Sequence, residues 1–143
     1  MNHRTLLFSI QPYWAEKIFQ GSKTIELRRK KPRFIEAGQN IFFYVSSPVK
    51  SLVGSVIVDG VLDLPKEELW EVVKENASIT REEFENYFQG TENGIGIILK
   101  EVKEFRSPLK LNRIRELYID FNPPQSFCYL EDSKVSELSK SLC

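Results

Sequence analysis

The chain has 143 residues, 41% of them hydrophobic and 12% aromatic, with twenty basic side chains balanced by twenty acidic ones. That length and composition suit one ordinary domain, expected over residues 1–143 with a loose tail from about residue 132, and the zero formal charge removes any global attraction for nucleic acid. Two cysteines, Cys128 and Cys143, cannot build a disulfide framework, and the single histidine, His3, leaves no credible player for a His-based metal site or a His-dependent triad.

No apolar run is long enough to span a membrane, and no cationic segment followed by an apolar stretch opens the chain. The expectation is a cytoplasmic protein with no metal and no cofactor.

Residues 5–10 are a short apolar run that reads as a first strand, and Pro12 suits the first turn of the helix behind it. Trp14, Ala15, Ile18 and Phe19 recur on one face of that helix, which marks Trp14 as core or, less simply, as a cleft edge. Gly21 then stops the helix in a left-handed conformation. In the strand expected over residues 24–28, Ile25 and Leu27 take one face and Thr24, Glu26 and Arg28 the other. Charges on a half-buried face are tolerated when they are paired, so this row reads either as the floor of a polar cleft or as a solvated sheet surface. Lys23 has the opposite parity and joins the row only from the turn before the strand.

The basic run Arg28-Arg29-Lys30-Lys31-Pro32-Arg33 follows, suited to meet phosphates at a cleft mouth or simply to keep a loop in water. Gly38 precedes a third strand over residues 40–46, closed by Pro48. Residues 52–64 alternate loosely, with Gly54 and Gly60 marking the bulges that a curved sheet requires. Pro65 occupies the first turn of a helix that groups Leu69, Trp70 and Val73, and Ser78 or Thr80 caps another in which Phe84, Tyr87 and Phe88 form a packing row. A strand over residues 94–105, a short helix over 109–117, a strand over 126–130 and a helix after Asp132 complete the order. The fold expected is α+β with a mixed, curved sheet.

From Leu7 to Phe19 and on through Gly21-Ser22-Lys23-Thr24-Ile25-Glu26-Leu27-Arg28, the chain closely resembles the opening of ASCH domains, a PUA-like family with the signature GxKxxExR. All four signature positions are present as Gly21, Lys23, Glu26 and Arg28. The segments 41–48, 52–54 and 123–130 are similar to a prokaryotic and phage branch of the same family, so the resemblance covers most of the chain. It implies a PUA-like mixed β-barrel flanked by helices, with a cleft where the first helix meets the barrel, and it suggests that Gln125 and Ser126 line that cleft.

The resemblance implies RNA-related work. The leading expectation is a module that binds RNA or a nucleotide, a modified base included. Lys23 and Arg28 would meet a phosphate or a base carbonyl, and Glu26 would accept from an exocyclic amine or position Arg28. Thr24 shares their row, Tyr44 and Trp14 would stack on a base, and Arg29, Lys30, Lys31 and Arg33 would steer the backbone. An alternative is a metal-independent hydrolase of a modified nucleoside or of RNA, with Lys23 and Glu26 as its catalytic pair. The small amidohydrolase branch places a threonine where this chain has Glu26, which removes the hydroxyl of a covalent route. Its further carboxylate is left open among Glu75, Glu82 and Glu83. A third expectation is a regulatory module with a protein partner, although no helix-turn-helix or zinc motif is present.

Overall fold

The computed structural model describes residues 4–141, so His3 and Cys143 lie outside the described residues. Strand β1 (Thr5–Ile10) leads into helix α1 (Pro12–Gln20) and the short strand β2 (Ile25–Arg28). A loop then reaches β3 (Asn40–Val45), β4 (Ser51–Pro65), α2 (Lys66–Val73) and α3 (Arg81–Tyr87). The chain continues through β5 (Asn93–Lys110), α4 (Leu111–Leu117), β6 (Phe127–Leu130) and α5 (Asp132–Ser141).

The six strands form one sheet in the order β2-β5-β4-β3-β1-β6, parallel only where β1 meets β3. The fold is α+β, a mixed sheet curved into a barrel with helices packed around it. Its curvature is written into the β4–β5 pairing, which slips register between Leu52 and Gly54, between Ser55 and Ile57, and between Val58 and Gly60. Strand β5 runs five residues past its expected end, because Ser51 and Leu52 at the start of β4 pair with Lys110 and Leu109. Pro65 also departs from expectation. It ends β4 and caps α2 rather than entering the helix, while Thr80 caps α3 with a reciprocal bond to Glu83.

Strand parity sorts the apolar residues into three cores. Leu6, Phe8, Ile41, Phe43, Val56 and Ile97 close the barrel interior together with Ile18 of α1. Leu7, Phe42, Tyr44 and Leu52 project from the other face and meet Ile114 of α4 and Leu138 of α5. Ile25 and Leu27 point outward from β2 onto Leu69, Val73, Phe84 and Phe88 of α2 and α3. Each fully buried Leu, Ile or Phe contributes about 1.5–3 kcal/mol, so the layer of α2 and α3 holds β2 firmly by its outer face. Glu26 and Arg28 therefore have no choice but the inner face.

Two glycines place α1 against this frame. Gly21, with φ 88°, ends the helix, and its N–H donates to the Ile18 carbonyl at 3.1 Å. Gly54 lets the Phe19 ring lie directly on β4, where a Cβ would stand 2.5 Å from that ring and 2.6 Å from the Lys103 carbonyl.

Candidate functional site

After Gly21 the chain turns back on α1, and both Ser22 and Lys23 donate their N–H to the Lys17 carbonyl at 3.1 Å. Strand β2 begins only at Ile25, so Lys23 sits in the turn and is free of strand parity. It enters the polar row as that position requires. Its ammonium donates to the Ala77 carbonyl at 3.1 Å and pairs with Glu26 Oε1 at 3.4 Å. Glu26 Oε2 takes both Arg28 Nη2, at 2.7 Å, and Nε, at 3.2 Å. The Lys23 and Glu26 side chains are 3% and 7% exposed, and that of Arg28 is 11% exposed.

Arg28 reaches further. Nη2 also donates to the Ser9 carbonyl at 3.1 Å, and Nη1 donates to the Ser126 carbonyl at 3.3 Å and to Ser126 Oγ at 3.2 Å. A guanidinium has five N–H donors, and these five contacts occupy all of them. The side chain thus bridges β2 to β1 and to the segment before β6, joining the two edges of the sheet, with its guanidinium carbon 4.5 Å from the Phe8 ring centre. Arg28 is a clamp, and its expected role as a donor to phosphate or base has no hydrogen left to carry it.

Burial would by itself raise the Glu26 carboxyl, but Arg28 and Lys23 outweigh it and hold the group below the ordinary glutamate value. For Lys23 the balance falls the other way. Burial pulls the ammonium below the ordinary lysine value, Glu26 opposes this, and Arg28 and Lys17 add to the lowering. Two of its three hydrogens point at protein oxygens, and the ammonium lies 5.1 Å from the Trp14 ring centre.

These groups line a cleft of about 570 Å³. Trp14 and Gln11 form its α1 wall, Glu83, Asn86 and Tyr87 its α3 wall, and Ser9, Gln125 and Ser126 its far side. Trp14 is half-buried, so it both packs on the core and edges the cleft. Tyr87 donates its hydroxyl to the Leu27 carbonyl at 3.2 Å, and burial pushes the phenol pKa up. Of the three candidate carboxylates, Glu83 alone lines the cleft.

Other expected site residues are elsewhere. Thr24 is exposed and outside β2, with its N–H bonded to Asn76 and its carbonyl to Leu99, so its side chain does not share the row of Glu26. Tyr44 lies on the outer face of β3, 3% exposed with its ring against Phe121, and cannot stack on a base held in this cleft. Lys30 and Lys31 are exposed, Arg29 donates to the Tyr87 carbonyl at 3.3 Å, and Arg33 belongs to a second, smaller pocket. Gln11, Asn86 and Tyr87 were not foreseen. The signal existed on α3, where Glu83, Asn86 and Tyr87 follow an i, i+3, i+4 stripe beside the apolar Phe84 and Phe88. Among the described residues, no three His, Cys, Asp or Glu side chains gather so as to hold a metal ion, and no helix is long and apolar enough to cross a membrane.

Comparison with known proteins agrees with this architecture. An ASCH domain-containing ribonuclease of Zymomonas mobilis is 28% identical over 137 residues, covering 96% of this chain and 91% of that one. The crystal structure of ASCH from Zymomonas mobilis superposes with a TM-score of 0.90 at 27% identity, covering 97% and 96% of the two chains. Large ribosomal subunit protein uL22 of Ureaplasma parvum is 23% identical over 128 residues, which are 89% of this chain and 39% of that longer protein. The ASCH domain family model matches residues 8–109. The chain belongs to the ASCH domain family.

Proposed function

We propose that this ASCH domain binds RNA by taking one unpaired nucleotide into the cleft between α1, α3 and β2. The observation that carries the reading is the pairing of a buried ammonium with a half-buried indole at the rim of a 570 Å³ cavity. Ligand pockets run from about 300 to 1,000 Å³, which suits a single nucleoside. Trp14 supplies a face for a base, Lys23 the remaining cationic hydrogen for a carbonyl or phosphate oxygen, and Gln11, Asn86 and Gln125 the amide donors and acceptors that read base edges. Lys23, Arg28 and Glu26 sum to one positive charge, which Glu83 on the rim cancels. That balance gives the cleft itself room for one nucleotide and no phosphate track of its own.

The test is tryptophan fluorescence in a Trp70→Phe background, which leaves Trp14 as reporter, titrated with the four ribonucleoside monophosphates and with acetylated cytidine. Saturable quenching that disappears in Lys23→Met supports the reading. A folded protein with no quenching by any of them at millimolar concentration refutes it.

A second reading, hydrolysis of RNA, has specific support in the name of the Zymomonas mobilis relative and in the lowered pKa of Lys23, which brings a neutral amine closer to working pH. Cleavage of a short RNA, with a rate that rises with pH and is lost in Lys23→Ala, would favour it over binding alone.

A further inference from the structure

The loop that leaves the cleft at Arg28 ends in a second cavity. It measures about 320 Å³ and is lined by Arg4, Arg33, Phe34, Ile35, Glu36 and Gln39. Its centre is the Phe34 ring, 41% exposed, with the Arg4 guanidinium carbon 4.1 Å and that of Arg33 5.1 Å from the ring centre. Among the described residues neither guanidinium has a carboxylate partner. Glu36 shares the rim, so the three ionisable groups of the pocket sum to one positive charge.

The pocket is braced from behind. Gln39 is 1% exposed, and its amide nitrogen donates to the Arg4 carbonyl at 3.0 Å and to the Phe34 carbonyl at 2.5 Å, while its oxygen accepts from the Glu36 N–H at 2.7 Å. Tyr129 of β6 adds a hydroxyl that accepts from the Phe34 N–H at 2.9 Å. One buried amide and one phenol thus fix the backbone at Arg4, just ahead of β1, and in the loop that carries Phe34. Two cations without carboxylate partners, resting on an exposed ring whose backbone is tied down by a buried amide and a half-buried phenol, make a preorganised anion site rather than a solubilising loop.

Its position says which anion. Arg4 and Ser9 are five residues apart along the β1 segment, so the second pocket lies roughly 17 Å from the cleft at about 3.3 Å per residue. The basic loop covers the same interval, from Arg28 at the cleft to Arg33 at the pocket, with Arg29, Lys30 and Lys31 exposed between them. We propose that the Arg4–Arg33–Phe34 pocket binds a backbone phosphate of the same RNA strand whose nucleotide enters the cleft. The proposal rests on the RNA reading of that cleft. A few nucleotides of extended single strand bridge the interval, and the loop lysines lie along the path.

The experiment compares a mononucleotide, a dinucleotide and a hexanucleotide by calorimetric titration against wild type, Arg4→Gln, Arg33→Gln and the charge-preserving Arg33→Lys, each checked for an unchanged thermal midpoint. The expected result is a gain in affinity from dinucleotide to hexanucleotide in wild type. That gain should fall about tenfold in either glutamine variant, the loss of a charge-assisted contact, while mononucleotide binding is unchanged and Arg33→Lys keeps most of the gain. The salt slope for the hexanucleotide should drop by about one in the glutamine variants. Equal hexanucleotide affinity and slope in all four proteins overturns the proposal. So does inorganic phosphate that binds through Arg4 and Arg33 when no length gain exists, which would mark a site for a free phosphate compound. Arg33-dependent hexanucleotide binding without any mononucleotide binding would leave this pocket standing and remove the cleft reading.

Discussion

Replacing Arg28 by alanine removes the five donors that close the sheet and leaves Glu26 7% exposed with only the 3.4 Å contact to Lys23. Removing one partner of a buried ion pair costs about 3–5 kcal/mol, because the remaining charge stays desolvated. The surviving lysine softens this loss, while the lost hydrogen bonds to Ser9 and Ser126 and the lost contact with the Phe8 ring add to it. A loss of about 4 kcal/mol is expected, from a total of about 7–20 kcal/mol at 0.05–0.15 kcal/mol per residue. At about 2.1 cal/mol/K per residue the unfolding entropy is about 0.3 kcal/mol/K, so the thermal midpoint should fall by about 13 °C. Urea unfolding followed by circular dichroism gives the free energy and calorimetry the midpoint. Arg28→Lys, which restores the charge without the fork, should recover less than half. The double variant with Glu26→Gln should cost less than the sum of its parts by about 2 kcal/mol or more. A single-variant loss under about 1 kcal/mol, with nucleotide binding abolished, would refute the clamp and return Arg28 to the ligand.

Lys23→Met should behave in the opposite way, shifting stability at pH 7 by less than about 1 kcal/mol because a desolvated ammonium is exchanged for an apolar side chain of similar length, while nucleotide binding is lost. The wild-type ammonium is penalised on folding, so wild-type stability should rise as pH climbs from the lowered Lys23 value toward 10.5, and urea unfolding of Lys23→Met should lack that rise. For Glu26, whose value is lowered on folding, the stability of wild type over Glu26→Gln should be constant above pH 4.5 and shrink as pH falls through the folded-state value; a difference that stays flat down to pH 3 would contradict the ion network. Gly54→Ala should cost about 1–3 kcal/mol in the same assay, since the new methyl meets the Phe19 ring and the Lys103 carbonyl, and loss of α1 docking should weaken ligand quenching of Trp14.

Much of this was legible in the chain. The alternation in Thr24-Ile25-Glu26-Leu27-Arg28 placed Ile25 and Leu27 in an apolar layer and Glu26 with Arg28 in a polar one, because a half-buried strand leaves its side chains only two directions. Gly21 announced the helix stop, and Gly54 and Gly60 announced the bulges. What was not legible depends on distances between remote segments. Nothing in local spacing tells that Arg28 spans to Ser9 and Ser126, 19 and 98 residues away, and so consumes its own donors. Tyr44 failed for a related reason: parity assigns it a face, but only the packing of α4 and Phe121 decides that this face is closed. Basic residues in one run suggested one interface, yet the loop ties Arg29 to α3 and delivers Arg33 to a separate pocket.

The division of labour inside the signature follows from donor counts. Arg28 spends every hydrogen on the protein, so it cannot discriminate one ligand from another, while Glu26 holds one cation on each oxygen and is 7% exposed. Only Lys23 keeps a hydrogen for a guest, and a lone ammonium accepts any oxygen without regard to geometry. On the proposed reading, selectivity falls to side chains outside the signature, namely Gln11, Asn86 and Gln125, whose amides each offer a donor and an acceptor to the cleft. It follows that conservative changes at these three positions should alter which base is taken while leaving stability intact, whereas changes at Arg28 should destroy the pocket for every base alike. Exchange of Asn86 for aspartate is the sharpest form of that test, because it converts a donor into an acceptor on the solvent-exposed face of α3 without touching the ion network. A reversed preference among the ribonucleotides, at unchanged urea midpoint, would locate recognition on the helix wall; an unchanged preference would move it to Gln11, Gln125 and the backbone.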